Sequence, residues 1–236
     1  MALASILRSK PNRVYSAISP TSFKVENVNL EYQDNIVLKN ISFNIEPGER
    51  VALVGKSGVG KSTLLKFLRG LQPQNVAWCP QQKGLVPMLS VYHNIYMGSL
   101  ERHSTLFNLI NLIKPASQPR AEIETLAEQL LLSDYLFASV DQLSGGQQQR
   151  TAIGRALYQK RAIFIGDEPV TAVDELQASQ LLTLILKSHS TIIFALHDID
   201  QALRTCSRII GLQDQAIVLD AASKTLSAND LHALYH

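Results

Sequence analysis

Nine consecutive residues, Gly55-Lys56-Ser57-Gly58-Val59-Gly60-Lys61-Ser62-Thr63, have the types and spacing that hold a polyphosphate. The pattern G-x-x-x-x-G-K-[ST] turns successive backbone N–H groups toward anionic oxygens. Gly55, Gly58 and Gly60 permit backbone conformations and a close approach that side chains would obstruct. Lys61 is the direct cation for the β- and γ-phosphates, and the Ser62 hydroxyl is a ligand for Mg²⁺. A second candidate is Asp167-Glu168, two adjacent carboxylates: Asp167 can hold the Mg²⁺ shell while Glu168 polarises an attacking water. A third is Ser144-Gly145-Gly146-Gln147. Ser144 is a good N-cap, and the glycines leave first-turn N–H groups uncovered, so this helix start also suits an anion. His197, after another apolar run, is placed to sense a γ-phosphate. The chemistry these residues imply is hydrolysis of a nucleoside triphosphate.

Elements able to position them can be read on either side. Residues 51–54 form a short apolar run of the kind found in buried parallel strands, and 64–68 have apolar residues at helical spacing. Residues 162–165 read as a strand that ends at Asp167-Glu168, where open α/β sheets bind ligands. Residues 191–196 form another, ending at His197-Asp198. A glycine-rich turn or a solvated acidic loop would need none of these strands.

Upstream, 23–32 alternates apolar and polar. A turn at 33–35, a strand start at 36–38 and a further alternating stretch at 41–45 follow, which predicts an antiparallel sheet beside the nucleotide core. Tyr32, ending the first strand, offers a ring face to a purine. Residues 76–79 read as a short strand ending at Pro80-Gln81-Gln82. The loop from Gln81 to Val91 carries Leu85, Val86, Met88 and Leu89, which suit a helix of another chain. Helices are expected at 91–100, within 101–119 around Pro115 and Pro119, at 122–132 and at 176–186. Strands at 209–212 and 217–219 and a short C-terminal helix complete the reading, an α/β fold.

The 236 residues, 46% hydrophobic, suffice for one large α/β domain. A net charge of +2 is too small to imply nucleic acid as a partner. Cys79 and Cys206 make neither a disulfide framework nor a metal-ligand spacing, which fits a reducing cytosol. No apolar stretch is long enough to span a bilayer, so work at a membrane requires another chain to cross it. Residues 1–22 contain Arg8, Lys10, Arg13 and two prolines but no acidic residue, and are expected to form a mobile leader before a domain at 23–236.

From Phe23 onward the chain resembles the ATP-binding subunit of an ABC transporter. Leu143-Ser144-Gly145-Gly146-Gln147, between the phosphate loop and the Asp167-Glu168 strand, is similar to that family's signature sequence. The resemblance implies that Tyr32 stacks on adenine, that Gln81 is the Q-loop glutamine near Mg²⁺, that Ala172-Val173-Asp174 is the D-loop, and that His197 is the switch histidine. It implies a P-loop core with an antiparallel β subdomain and an α-helical signature subdomain at roughly 85–160. ATP and Mg²⁺ are the implied cofactors. The resemblance further implies that two copies pack head to tail, the signature helix of one capping ATP on the other, and that Asp174 is among the nucleotide-binding residues. The implied partners are that second copy, integral-membrane permease subunits and, indirectly, a periplasmic or extracellular solute-binding protein. The implied place is the cytoplasmic face of the inner membrane, held peripherally. Met97-Gly98-Ser99-Leu100, the segments at 104–106 and 109–115, and 209–214 look like phosphonate-importer ATPases. A different solute, or an accessory clamp in phosphonate metabolism, are the alternatives. Gln81 follows Lys61 by only 20 positions, far fewer than is usual in the family. That implies a trimmed β subdomain. Val173 and Glu175 stand where leucine and proline are common.

Overall fold

The computed structural model describes residues 22–235, so the expected leader lies outside the described residues except for Ser22. In chain order the first elements are β1 (Phe23–Tyr32), β2 (Asn35–Ile45), β3 (Arg50–Val54), α1 (Lys61–Leu71) and β4 (Val76–Cys79). Next come α2 (Val91–Tyr96), α3 (Thr105–Ile113), α4 (Ser117–Gln129) and α5 (Gly145–Leu157). The last are β5 (Ile163–Asp167), α6 (Glu175–Ser188), β6 (Thr191–Ala195), α7 (Ile199–Thr205), β7 (Arg208–Gln213), β8 (Ala216–Ala222) and α8 (Ala228–His232). They fall into two units. Of the described residues, one takes 22–76, 162–168 and 189–235; the other takes 77–161 and 169–188.

In the first unit β1 and β2 pair antiparallel as a two-stranded sheet, with Phe23 opposite Ile45 and Tyr32 opposite Asn35. The alternating side chains Phe23, Val25, Val28, Leu30, Leu38, Ile41, Phe43 and Ile45 are buried. The sequence breaks β2 at its polar centre, yet the strand is continuous. Asn40 takes φ 47° and sends its N–H to Asn29 Oδ1 at 2.7 Å, so the break is a bulge rather than an end.

The larger sheet of this unit runs β5-β6-β3-β7-β8. β3 lies between parallel neighbours, Ala52 facing Phe194 on β6 and Ile209 on β7. β5 flanks β6 with Asp167 opposite Ala195, and β8 returns antiparallel to β7. Every residue of β5 and β6 is buried, which is why both read as unbroken apolar runs.

In the second unit α2, α4 and α5 bury Ile95, Ile123, Ala127 and Ile153. The helix expected over 91–100 divides at Met97, where a 3₁₀ stretch, Met97–Arg102, begins. A Cβ on Gly98 would lie 2.3 Å from the Arg155 carbonyl oxygen, so the tightened turn approaches α5 as only glycine allows. α4 starts before the expected position because Pro119 falls in its first turn, where no N–H is needed. It stops before Leu132; Leu131 takes φ 53° and ends the helix.

Candidate active site

The phosphate loop joins β3 to α1 in the first unit. Gly60 at φ 113° is the N-cap of α1 and supplies no side-chain cap, so the first-turn N–H groups face the loop's concavity. Gly55 takes φ 138°, and a Cβ there would stand 2.3 Å from the Leu212 carbonyl oxygen on β7. Lys61 is only 5% exposed. Its Nζ donates to the carbonyls of Gly55 at 2.6 Å and Lys56 at 3.0 Å. Burial pulls its pKa below the ordinary lysine value, partly opposed by the carboxylates of Glu168 and Asp167. A cavity of about 530 Å³ opens beside Lys56, Ser57, Gly58 and Val59, between Ile36 and Val37 on β2 and the β7–β8 turn at 213–215. Thr63 continues α1.

Asp167 ends β5 and is buried. Burial raises its pKa, opposed by a hydrogen bond from Ser62 and by Lys66 and Lys61. Its Oδ1 has no hydrogen-bond partner. A buried carboxylate oxygen without a partner is costly, and beside a serine hydroxyl it forms the hard-oxygen donor pair that suits Mg²⁺.

Glu168 follows in a left-handed conformation, φ 53°, with its N–H bonded to the Ala195 carbonyl of β6 at 3.1 Å. That backbone turn carries its carboxylate sideways, and His197 Nε2 lies 2.5 Å from Glu168 Oε1. Asp198 holds the histidine's backbone in place by capping α7, accepting the Gln201 N–H at 2.9 Å. Tyr32, at the end of β1, is 41% exposed, with the Lys66 ammonium 6.0 Å above its ring.

The other site residues named from the sequence sit in the second unit. Gln81 follows β4. Ser144 and Gln147 form a reciprocal capping box on α5, the Ser144 N–H reaching Gln147 Oε1 at 2.8 Å. A Cβ on Gly145 would meet nothing within 4 Å, so its face is open; on Gly146 it would meet the Ala172 carbonyl at 3.2 Å. Asp174 accepts the Gln177 N–H at 2.9 Å and starts α6. The loop after Gln81 is pinned by Asn94, fully buried, which binds both the N–H and the C=O of Val86. Of its apolar residues Met88 is the most exposed, at 85%, while Leu85, Val86 and Leu89 are half-buried.

Three contributors escaped the sequence reading. Tyr235 accepts the Gly55 N–H at 3.3 Å from 180 residues away, and no local pattern announces that. Arg155 donates to the carbonyls of Gly84, at 2.8 Å, and Lys83, and Lys83 Nζ reaches the Gly145 carbonyl at 2.7 Å. These bonds tie the segment after Gln81 to both ends of α5. Arginine near the end of a helix is an ordinary sight; only its bonds distinguish this one.

The family model for ABC transporters matches residues 38–171. The chain is 35% identical to the phosphonates import ATP-binding protein PhnC of Pseudomonas entomophila, over 91% of each chain. It is 32% identical to the PhnC of Frankia casuarinae, covering 92% of this chain and 96% of the relative. Its fold is similar to a dimeric structure of a bacterial ABC transporter cassette, with a TM-score of 0.71, 25% identity and coverage of 85% of this chain and 98% of that one. This chain belongs to the ABC transporter family, as an ATP-binding and ATP-hydrolysing cassette.

Proposed function

We propose that the protein is the ATPase subunit of an importer for phosphonate, working as a head-to-tail homodimer beneath a separate membrane permease. The observation that carries the hydrolytic part is the cluster on neighbouring strand ends: Lys61, the unpartnered Asp167 Oδ1, and Glu168 against His197. The Ser62 hydroxyl and Asp167 would hold Mg²⁺, which would supply charge neutralisation to the phosphates. Lys61 exchanges its loop carbonyls for phosphate oxygens, and the residues from Gly55 to Thr63 wrap them with backbone N–H groups. Tyr32 stacks on adenine once Lys66 moves off its ring. Glu168 orients and polarises the attacking water. His197 fixes the Glu168 carboxylate and reads the γ-phosphate.

The open face of Gly145 supports the dimer. Ser144, Gly145, Gly146 and Gln147 form a capped helix start whose Gly145 face meets nothing among the described residues, and a second copy's ATP fits it, with Asp174 beside it. The likeness to phosphonates import ATP-binding proteins supports phosphonate as the solute, delivered by a periplasmic or extracellular binding protein. No helix among the described residues is long and apolar enough to cross a membrane, which supports a peripheral place on the cytoplasmic face of the inner membrane.

The test is reconstitution of the chain with its permease in vesicles. ATP-dependent uptake of a radiolabelled alkylphosphonate supports the reading. ATP hydrolysis stimulated by another solute alone overturns the phosphonate assignment.

A further inference from the structure

Helix α3 is turned inside out. Its asparagines face the unit: Asn111 is fully buried and accepts the Tyr92 hydroxyl at 3.0 Å and the Ala116 N–H at 2.8 Å. Asn108 accepts the Tyr96 hydroxyl at 2.7 Å and donates to the Leu100 carbonyl at 3.0 Å. The aliphatic residues face out. Leu106 is 69% exposed, Leu109 56%, Ile110 55%, Leu112 48% and Ile113 87%. A surface helix ordinarily presents the opposite faces, and five large aliphatics on one nine-residue helix form a patch rather than a scatter. Rolling the patch inward would strip Tyr92, Tyr96 and Asn111 of their buried partners, so the polar bonds fix the exposure.

Within the segment that carries the patch the charges share one sign. No acidic residue occurs from Arg102 to Arg120, in a chain with 20 acidic residues in 236. Lys114 is exposed immediately after Ile113. Arg102 lies over the Tyr158 ring and binds its carbonyl, and Arg120 pairs with Glu124 at 2.8 Å. An apolar ridge ending in a cation, without a carboxylate of its own, matches the boundary between headgroups and acyl chains of an anionic leaflet. A second copy fits less well. A helix of about 14 Å offers far less than the ~1,200 Å² of a stable interface, and pairing two such ridges adds like charges.

We propose that α3 docks this subunit directly on an anionic lipid surface, with Leu106, Leu109, Ile110 and Ile113 immersed and Lys114 at the headgroup phosphates. The contact needs no permease, so it stands or falls separately from the transport reading. The test is co-sedimentation of the purified full chain with vesicles of phosphatidylcholine alone and of phosphatidylcholine mixed with phosphatidylglycerol. Binding is expected to favour the anionic vesicles. The double variant Leu109→Ser/Ile113→Ser should weaken it by about tenfold or more on both compositions. Lys114→Glu should weaken it on anionic vesicles only, and Val218→Ser, an exposed position on β8, should leave it unchanged. Melting temperature and ATPase rate confirm that the variants are folded. Equal sedimentation of parent and double variant, or no sedimentation of the parent, overturns the proposal. Concentration-dependent self-association that the double variant abolishes also overturns it, assigning the face to a second copy.

Discussion

His197 Nε2 and Glu168 Oε1 stand 2.5 Å apart, each just beyond the end of one of two neighbouring parallel strands. The pairing of Asp167 with Ala195 fixes this meeting, because one further residue on β5 and two on β6 bring the side chains level. The contact joins the two groups proposed to handle the attacking water and the γ-phosphate.

Glu168→Gln should keep ATP binding and remove turnover, by about 10²–10⁴-fold, since the amide fills the site and cannot polarise water. Phosphate release and gel filtration in ATP check it. The variant should elute as a nucleotide-bound dimer, and near-parental hydrolysis would remove Glu168 from the mechanism.

Lys61→Ala should weaken ATP binding by about one to two orders of magnitude, the worth of a charged hydrogen bond to phosphate. Calorimetric titration measures this directly. Unchanged affinity would contradict the role given to Lys61.

Asp167→Asn should stabilise the nucleotide-free protein while abolishing Mg²⁺-dependent ATPase activity. The folded-state pKa of Asp167 is raised, chiefly by burial, so its ionised form is disfavoured by folding. The folded state holds the proton more tightly, and stability falls as pH rises from the ordinary value, 3.8, through the raised one. The penalty is present in full above that window and absent below it. At neutral pH the variant should melt at a higher temperature than the parent, which calorimetry reads directly. The difference should shrink as the melts are taken toward pH 4.

Met88→Cys, in a background with Cys79 and Cys206 replaced, should crosslink to the permease in a nucleotide-dependent manner. The Asn94 bonds hold the loop as a firm shelf on which Met88 protrudes, so it is a better probe than half-buried Leu85. A residue that stays unreactive toward the permease in the assembled transporter would place the docking surface elsewhere.

The phosphate loop, the Asp167-Glu168 strand end and the Ser144 cap were legible because each is a local pattern with a local physical cause. Partnership across strands was less legible. His197 and Glu168 each stood out as candidates, but their contact depends on β5 lying next to β6. Asn40 shows a different limit. A polar residue in an alternating strand reads as an end, yet a left-handed backbone and one side-chain acceptor turn it into a bulge. In α3 the helix itself was readable and its orientation was not, because periodicity assumes that apolar faces point inward. Tyr92 and Tyr96, from a different helix, decide otherwise.

The position of β3 has a consequence for how the protein is made. Residues 50–54 carry the phosphate loop at their end, yet their partners lie at 191–195 and 208–213. On the ribosome this buried, apolar strand emerges early and waits for almost the whole chain before either side is paired. Such long-range pairing folds slowly and leaves an aggregation-prone segment in need of shelter. Nascent chains arrested before residue 191 should occupy chaperones and retain no nucleotide, while those released beyond β7 should begin to bind it.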